Sequence, residues 1–211
     1  MRTALSIFLL IRAASAQEPA RAPLGVFEAH GDVGETPKQG SVQFDPATVG
    51  YRVTGGGANI WSTTDAFHFV WIKVSGDVTI AADIQFIGAG AVAHRKAVLM
   101  IRQGLEPGAP YADAALHGDG LTSLQFRTDR DKETQEVKAV VTAPQRIRIE
   151  RHANEFTMYT GNSGGELKPS GSASVELQDP VHVGIGVCSH DAGILETAVF
   201  SNVKIESAPS H

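Results

Sequence analysis

The chain has 211 residues, with 18 basic and 23 acidic side chains and a formal net charge of −5 at pH 7. A negatively charged chain does not attract phosphate backbones, so we expect no nucleic-acid partner. Its one cysteine, Cys188, excludes an intrachain disulfide.

The first 16 residues have the features of a secretory signal peptide. A short basic start at Arg2 precedes an apolar run over residues 4–11, and small residues at 14–16 supply a cleavage pattern. The run is far shorter than the roughly 20 apolar residues that span a bilayer, and no later stretch approaches that length. The sequence therefore predicts an exported protein, periplasmic or extracellular, without a membrane span.

The rest of the chain is predicted to form one domain. Residues 17–26 are a polar, proline-containing lead-in, residues 27–206 form the domain, and residues 207–211 form a short tail. This length suits a single sandwich or barrel. The sequence leaves the oligomeric state open.

Short strand signals separated by Gly, Pro, Asn and Asp follow one another from residue 41 onward. The segment after the 146–160 hairpin signal, residues 161–171, is interpreted as a loop. Several short strands at this spacing indicate an all-β sandwich or barrel. The predicted strands are residues 66–74, 77–86, 96–102, 111–117, 121–127, 146–151, 155–160, 181–189 and 195–205.

Two groups of segments resemble a known superfamily. Residues 146–159, 183–190 and 198–203 resemble the closing strands of concanavalin A-like lectin/glucanase domains. Residues 55–77 and 95–102 resemble uncharacterised secreted bacterial domains of that superfamily, some of which are appended to TolB-like propellers. The resemblance implies an all-β, two-sheet antiparallel jelly-roll sandwich with one concave and one convex sheet. It implies function only loosely, because the superfamily contains lectins, glycosidases and adhesion modules.

Three predicted strands carry unusual polar residues on one face each, because alternate side chains of a strand share a face. If segments 96–102, 111–117 and 121–127 are neighbours, these faces form one surface suited to a polyhydroxylated ligand, with Trp61 available to stack on a sugar ring. We therefore expect a binding module for carbohydrate or cell-envelope glycan. The alternative without a ligand is a solvated sheet face in which Arg102 and Asp113 form an ion pair. The predicted ligand-binding residues are Trp61, Arg102, Tyr111, Asp113, His117, Gln125 and Arg127.

Catalysis is a second hypothesis. Glucanases of this fold place two Glu and an Asp at even spacing on one strand, and the sequence has no such run. Glu133 and Glu136 are three apart and would point to opposite faces of a strand. A hydrolase or lyase that uses Asp113 and His117 as acid and base remains an alternative, as does a non-catalytic envelope protein-interaction domain.

No cofactor is expected from the sequence. The superfamily resemblance leaves a structural calcium ion as an alternative, with Asp32 and Asp45 as carboxylate donors. The ligand-type residues His117 and Asp119 flank a glycine, but no spacing matches a dedicated metal loop. We therefore assign no metal ligands.

Overall fold

The computed structural model describes residues 24–207, which form sixteen β-strands and no helix. The predicted signal peptide, most of the predicted lead-in and residues 208–211 lie outside the described residues. Nothing within residues 24–207 is a helix long and apolar enough to cross a membrane.

Two antiparallel sheets of seven strands each make up the sandwich. The first sheet contains, in spatial order, β1 (Ala29–Val33), β6 (Phe67–Val74), β15 (Val181–Cys188), β8 (Lys96–Arg102), β9 (Tyr111–His117), β10 (Thr122–Arg127) and β11 (Gln135–Lys138). The second contains β14 (Lys168–Ser174), β13 (Glu155–Gly161), β12 (Arg146–His152), β7 (Val78–Phe86), β16 (Glu196–Ser207), β3 (Gly50–Gly55) and β2 (Ser41–Asp45). A small hairpin of β4 (Ile60–Trp61) and β5 (Thr64–Asp65) lies outside both sheets.

The main core lies between the two sheets and follows from strand alternation. In β7 the even-numbered residues from Val78 to Ile84 are buried in this core, and in β12 Ile147 and Ile149 join them. The intervening Arg148 and Glu150 are only partly buried, whereas Arg151, which has the same parity as the two isoleucines, is buried. Alternation of apolar and polar residues is what a strand with one face on a core requires.

A second, smaller apolar cluster lies on the opposite face of the first sheet, which we call the outer face. It includes Phe67 and Phe69 from β6 and is covered by Ile60 of the small hairpin. Gly184 and Gly186 in β15 leave room for these rings, since a Cβ atom at either position would lie 2.9 Å from a phenyl carbon. The first sheet is therefore buried on both faces over much of its area.

The interpretation of residues 161–171 as a loop is wrong in its last four residues. Residues Lys168–Ser174 form β14, which pairs with β13 across a register irregularity between Met158 and Tyr159. Strand β14 is at the edge of the second sheet. Pro169 and Gly171 weaken the strand signal in the sequence, but an edge position tolerates a proline because one side of the strand needs no ladder hydrogen bond.

Candidate functional site

The three polar segments singled out in the sequence are neighbours in the first sheet. Strand β9 lies between β8 and β10, and the register sets Asp113 opposite both Met100 and Gln125. His117 is opposite Lys96 at one end of the strands. At the other end, Tyr111 is opposite both Arg102 and Arg127. The structure thus brings six of the seven predicted residues onto the outer face of one sheet.

The arginine end of this face is closed by an ion-pair cluster around Asp65. Arg127 donates to both carboxylate oxygens of Asp65, at 2.9 and 2.8 Å, and Arg102 Nη2 lies 3.5 Å from Oδ2. All three side chains have no exposed surface. Burial raises the pKa of Asp65, and donation from Arg127 opposes that rise. Arg102 therefore pairs with Asp65 rather than with Asp113, the partner considered from the sequence.

Asp65 is the last residue of β5, so its ion pairs hold the small hairpin over the arginine end of the outer face. The turn residue Ser62 has a positive φ of 56°, and its carbonyl accepts hydrogen bonds from Arg127 and from both the backbone and the hydroxyl of Thr134. Tyr111 is also buried here, with its hydroxyl 3.1 Å from that of Thr134. The sequence gives no direct indication of this role for Asp65, because the arginines that bind it are distant along the chain.

Asp113 occupies the middle of the outer face and is fully buried. Neither of its carboxylate oxygens has a hydrogen-bond partner among the described residues. Burial raises the pKa of Asp113 well above its usual value, although the charge of Lys96 opposes this. A buried carboxyl without donors is costly as an anion, so the neutral acid is favoured at this position.

The opposite end of the face opens into a cleft of about 260 Å³, which we call the first cavity. Buried Lys96, His117 and Gln125 are at its base, whereas His94 is exposed at its border. The Lys96 ammonium donates to the Ile60 carbonyl at 2.7 Å and to Gln125 Oε1 at 3.1 Å. Burial lowers the pKa of Lys96.

The half-buried ring of Trp61 forms a wall of the first cavity. Lys96 Nζ is 5.3 Å from the centre of this ring, within the range of a cation–π contact. Lys96 thereby holds both the backbone and the side chain of the hairpin. Trp61 is thus placed by the same buried amine that forms the base of the cavity.

Three histidines lie around the first cavity. His117 Nδ1 is 3.0 Å from the Leu121 carbonyl, which can only accept, so Nδ1 carries the hydrogen and the neutral ring keeps an acceptor at Nε2. Burial and the nearby charge of Lys96 lower the pKa of His117 to about 4. The ring of His94 is 5.8 Å, centre to centre, from those of both His117 and His190.

The orientation of Asn59 follows from its two contacts. Its Oδ1 accepts from the Ile60 backbone amide at 2.9 Å, so its Nδ2 faces His190 Nε2 at 3.1 Å. One hydrogen of Nδ2 serves His190 and the second remains available. The first cavity therefore offers a donor at Asn59 and an acceptor at His117.

A second cavity of about 770 Å³ adjoins the first. Asn59 and Trp61 line both cavities. The second is otherwise lined by small and turn-forming residues together with Glu35 and Asp65. Of the predicted residues, Trp61, His117 and Gln125 line a cavity, whereas Arg102, Tyr111, Asp113 and Arg127 line neither.

The carboxylates considered for calcium have other partners. Asp32 accepts from His68 at 2.6 Å and from the Gly40 backbone amide, and Asp45 accepts from Ala47 and Thr48 in its own turn. In residues 24–207 no group of three or more His, Cys, Asp and Glu side chains is arranged to hold a metal ion. The donor sets at Asp32 and Asp45 do not fit a calcium site.

No protein-family model and no curated protein matches the chain. Among solved structures, a functionally unknown protein from Saccharomyces cerevisiae is similar, with a TM-score of 0.65 and 16% identity over 85% of this chain and 97% of that chain. The carbohydrate-binding module CBM66 from Bacillus subtilis gives a TM-score of 0.56 and 15% identity, covering 86% and 98% of the two chains. A β-glucanase from Bacillus licheniformis gives 0.52 and 11%, covering 90% and 95%. At these identities the similarity bears on fold alone, and with the two seven-stranded sheets it confirms the predicted all-β, two-sheet antiparallel jelly-roll sandwich.

Proposed function

We propose that this protein is an exported carbohydrate-binding module whose ligand site is the first cavity. The observation that carries the proposal is the position of Trp61, a half-buried indole beside an open cleft on the outer face of the first sheet that is lined mainly by polar residues. An aromatic plane next to hydrogen-bonding groups suits a sugar, which has an apolar ring face and a rim of hydroxyls.

The groups around Trp61 match the chemistry of hydroxyls, which both donate and accept. Asn59 has a free donor hydrogen, and neutral His117 has an acceptor at Nε2. Lys96 and Gln125 bind each other, so the base of the cavity is fixed before a ligand arrives. A prearranged polar base limits the entropy lost on binding.

Proteins of the same fold support a carbohydrate ligand in general terms. The module from B. subtilis is named for carbohydrate binding and the enzyme from B. licheniformis is a β-glucanase. At this low sequence identity, neither their ligands nor their binding residues can be assigned to this chain. The support is therefore for the class of ligand rather than for a particular sugar.

Binding is better supported than catalysis by Asp113 and His117. The two side chains are four residues apart on one strand, which separates them by about 13 Å. Glycosidase carboxyl pairs lie roughly 5–9.5 Å apart across the scissile bond. Asp113 is also fully buried and lines neither cavity.

Export, to the periplasm or beyond the cell, belongs to the same proposal. It rests on the signal-like first 16 residues and on the resemblance to secreted bacterial domains. Fractionation of cells expressing the whole chain and a version lacking residues 2–16 tests it. Export of the first and retention of the second is expected, and export of both would contradict the proposal.

The binding proposal can be tested with the two tryptophans of the chain. Trp61 borders the cavity, whereas Trp71 lines neither cavity and is stacked on Phe69 in β6, on the same outer face. In a Trp71→Phe background, the remaining indole fluorescence comes from Trp61 alone. Glycans that bind the protein in an array screen should change this emission when they are titrated into the variant.

The reciprocal variant provides the control. A Trp61→Phe protein, with Trp71 as its fluorophore, should bind several-fold more weakly and show no change in emission. Equal affinity in Trp61→Ala and wild type would place the ligand elsewhere. Failure of every carbohydrate on the array to bind the folded protein would overturn the proposal.

A further inference from the structure

We infer that the ligand is an oligosaccharide chain that crosses Trp61 from the first cavity into the second, so that the site recognises at least two consecutive sugar units. This rests on the proposed carbohydrate-binding function and extends it from a sugar to a stretch of glycan. The inference comes from the placement of two cavities around one aromatic side chain.

The two cavities adjoin each other along two different segments. Asn59 and Trp61 line both of them. The loop after β15 also borders both, through His190 in the first cavity and Ala192 in the second. A ligand in the first cavity can therefore continue past Trp61 without leaving the surface.

The cavity volumes differ in a way that suits a chain. The first, at about 260 Å³, lies below the roughly 300–1,000 Å³ of pockets that hold drug-sized ligands, and matches a single sugar unit. The second, at about 770 Å³, has space for more than one unit. A monosaccharide would leave most of the combined space unused.

The hairpin between the cavities is held on both sides, which makes Trp61 a fixed platform. Lys96 binds the Ile60 carbonyl on the side of the first cavity. Arg127 binds Asp65 and the Ser62 carbonyl beyond Trp61. A platform fixed before binding lets stacking contribute to affinity without an ordering cost.

The two ends of the path differ in their charged side chains. Lys96, Lys138 and Glu136 line the first cavity, whereas Glu35 lines the second. Glu35 is exposed and accessible to a ligand that extends past Trp61. The reducing and non-reducing ends of a glycan therefore meet different surroundings.

Isothermal titration of the whole protein with length ladders tests the inference. The probes are cello-, xylo-, fructo- and galacturono-oligosaccharides, each from the monosaccharide to roughly the hexasaccharide. For the series that binds, we expect at least about a tenfold gain in affinity from monosaccharide to trisaccharide. Equal affinity for all lengths would overturn the inference and leave the proposed function intact, whereas no binding by any series and by any glycan on the array would remove both.

Two surface variants separate the cavities. Glu35→Ala should weaken binding of the trisaccharide about threefold or more while leaving the monosaccharide unaffected, and His94→Ala should weaken both. Glu166→Ala is the matched control, because Glu166 is an exposed glutamate that lines a cavity beside the second sheet. If Glu35→Ala and Glu166→Ala bind every length as wild type does, the chain does not enter the second cavity.

Discussion

Arg127 and Asp65 form a two-pronged ion pair with no exposed surface, in which each terminal nitrogen of the guanidinium donates to one carboxylate oxygen at 2.9 or 2.8 Å. The pair joins β10 of the first sheet to the hairpin that carries Trp61. Parallel hydrogen bonds of this kind are strong and directional. The arginine expected to bind a ligand is therefore used to position the tryptophan that borders the cleft.

Asp65→Asn should lower the free energy of unfolding by about 3 kcal/mol or more, because it leaves two buried guanidinium groups without a counter-charge. Urea unfolding followed by circular dichroism measures this. Lys204→Gln is the control, since it breaks an exposed pair with Glu206 and should cost at most about 1 kcal/mol. Equal, small effects from both variants would mean that the buried pair does not fix the hairpin.

Asp113→Asn should stabilise the protein at neutral pH. Folding raises the pKa of Asp113, so ionising this side chain costs more free energy in the folded protein than in the unfolded chain. The wild type therefore loses stability as the pH rises above 3.8, the ordinary pKa of an aspartate. The advantage of the variant should grow by up to about 1.4 kcal/mol per pH unit until the folded-state pKa is reached. Urea titrations at a series of pH values give the difference, and a less stable variant at neutral pH would show that Asp113 acts as an anion paired with Lys96.

The ring of His117 should remain neutral well into the acid range. Its pKa falls from 6.5 to about 4 on folding, so its contribution to stability is complete above pH 6.5 and is lost as pH drops toward 4, by about 3 kcal/mol in all. Nitrogen-15 NMR of the imidazole gives the midpoint directly, and His117→Gln should flatten stability over this range. A midpoint near 6.5 would mean that the ring is solvated.

Gly184→Ala should destabilise the first sheet by about 2 kcal/mol, as overpacking does. Its Cβ atom would lie 2.0 Å from the Val70 carbonyl oxygen, and this oxygen belongs to the strand that pairs with β15. Gly165→Ala is the control, because its nearest neighbouring atom is 3.4 Å away, an ordinary contact. Thermal unfolding compares the two, and equal melting temperatures would show that the neighbouring strand can yield.

The candidate site was predictable to different degrees at its two ends. Alternation in segments 96–102, 111–117 and 121–127 placed the polar residues on common faces, and this is confirmed by the register of β8, β9 and β10. The sequence did not indicate which of those residues solvent reaches. The covering elements, chiefly the hairpin ending at Asp65, come from another part of the chain.

The sequence by itself determined the all-β class, most strand positions and the faces on which side chains lie, because strand alternation is a local property with a period of two residues. Only the tertiary structure decided that Arg102 and Arg127 are closed off by Asp65 while Lys96 and His117 border an open cleft. Burial and ion pairing depend on which distant segments cover a face, and the pattern along a single strand does not contain that information.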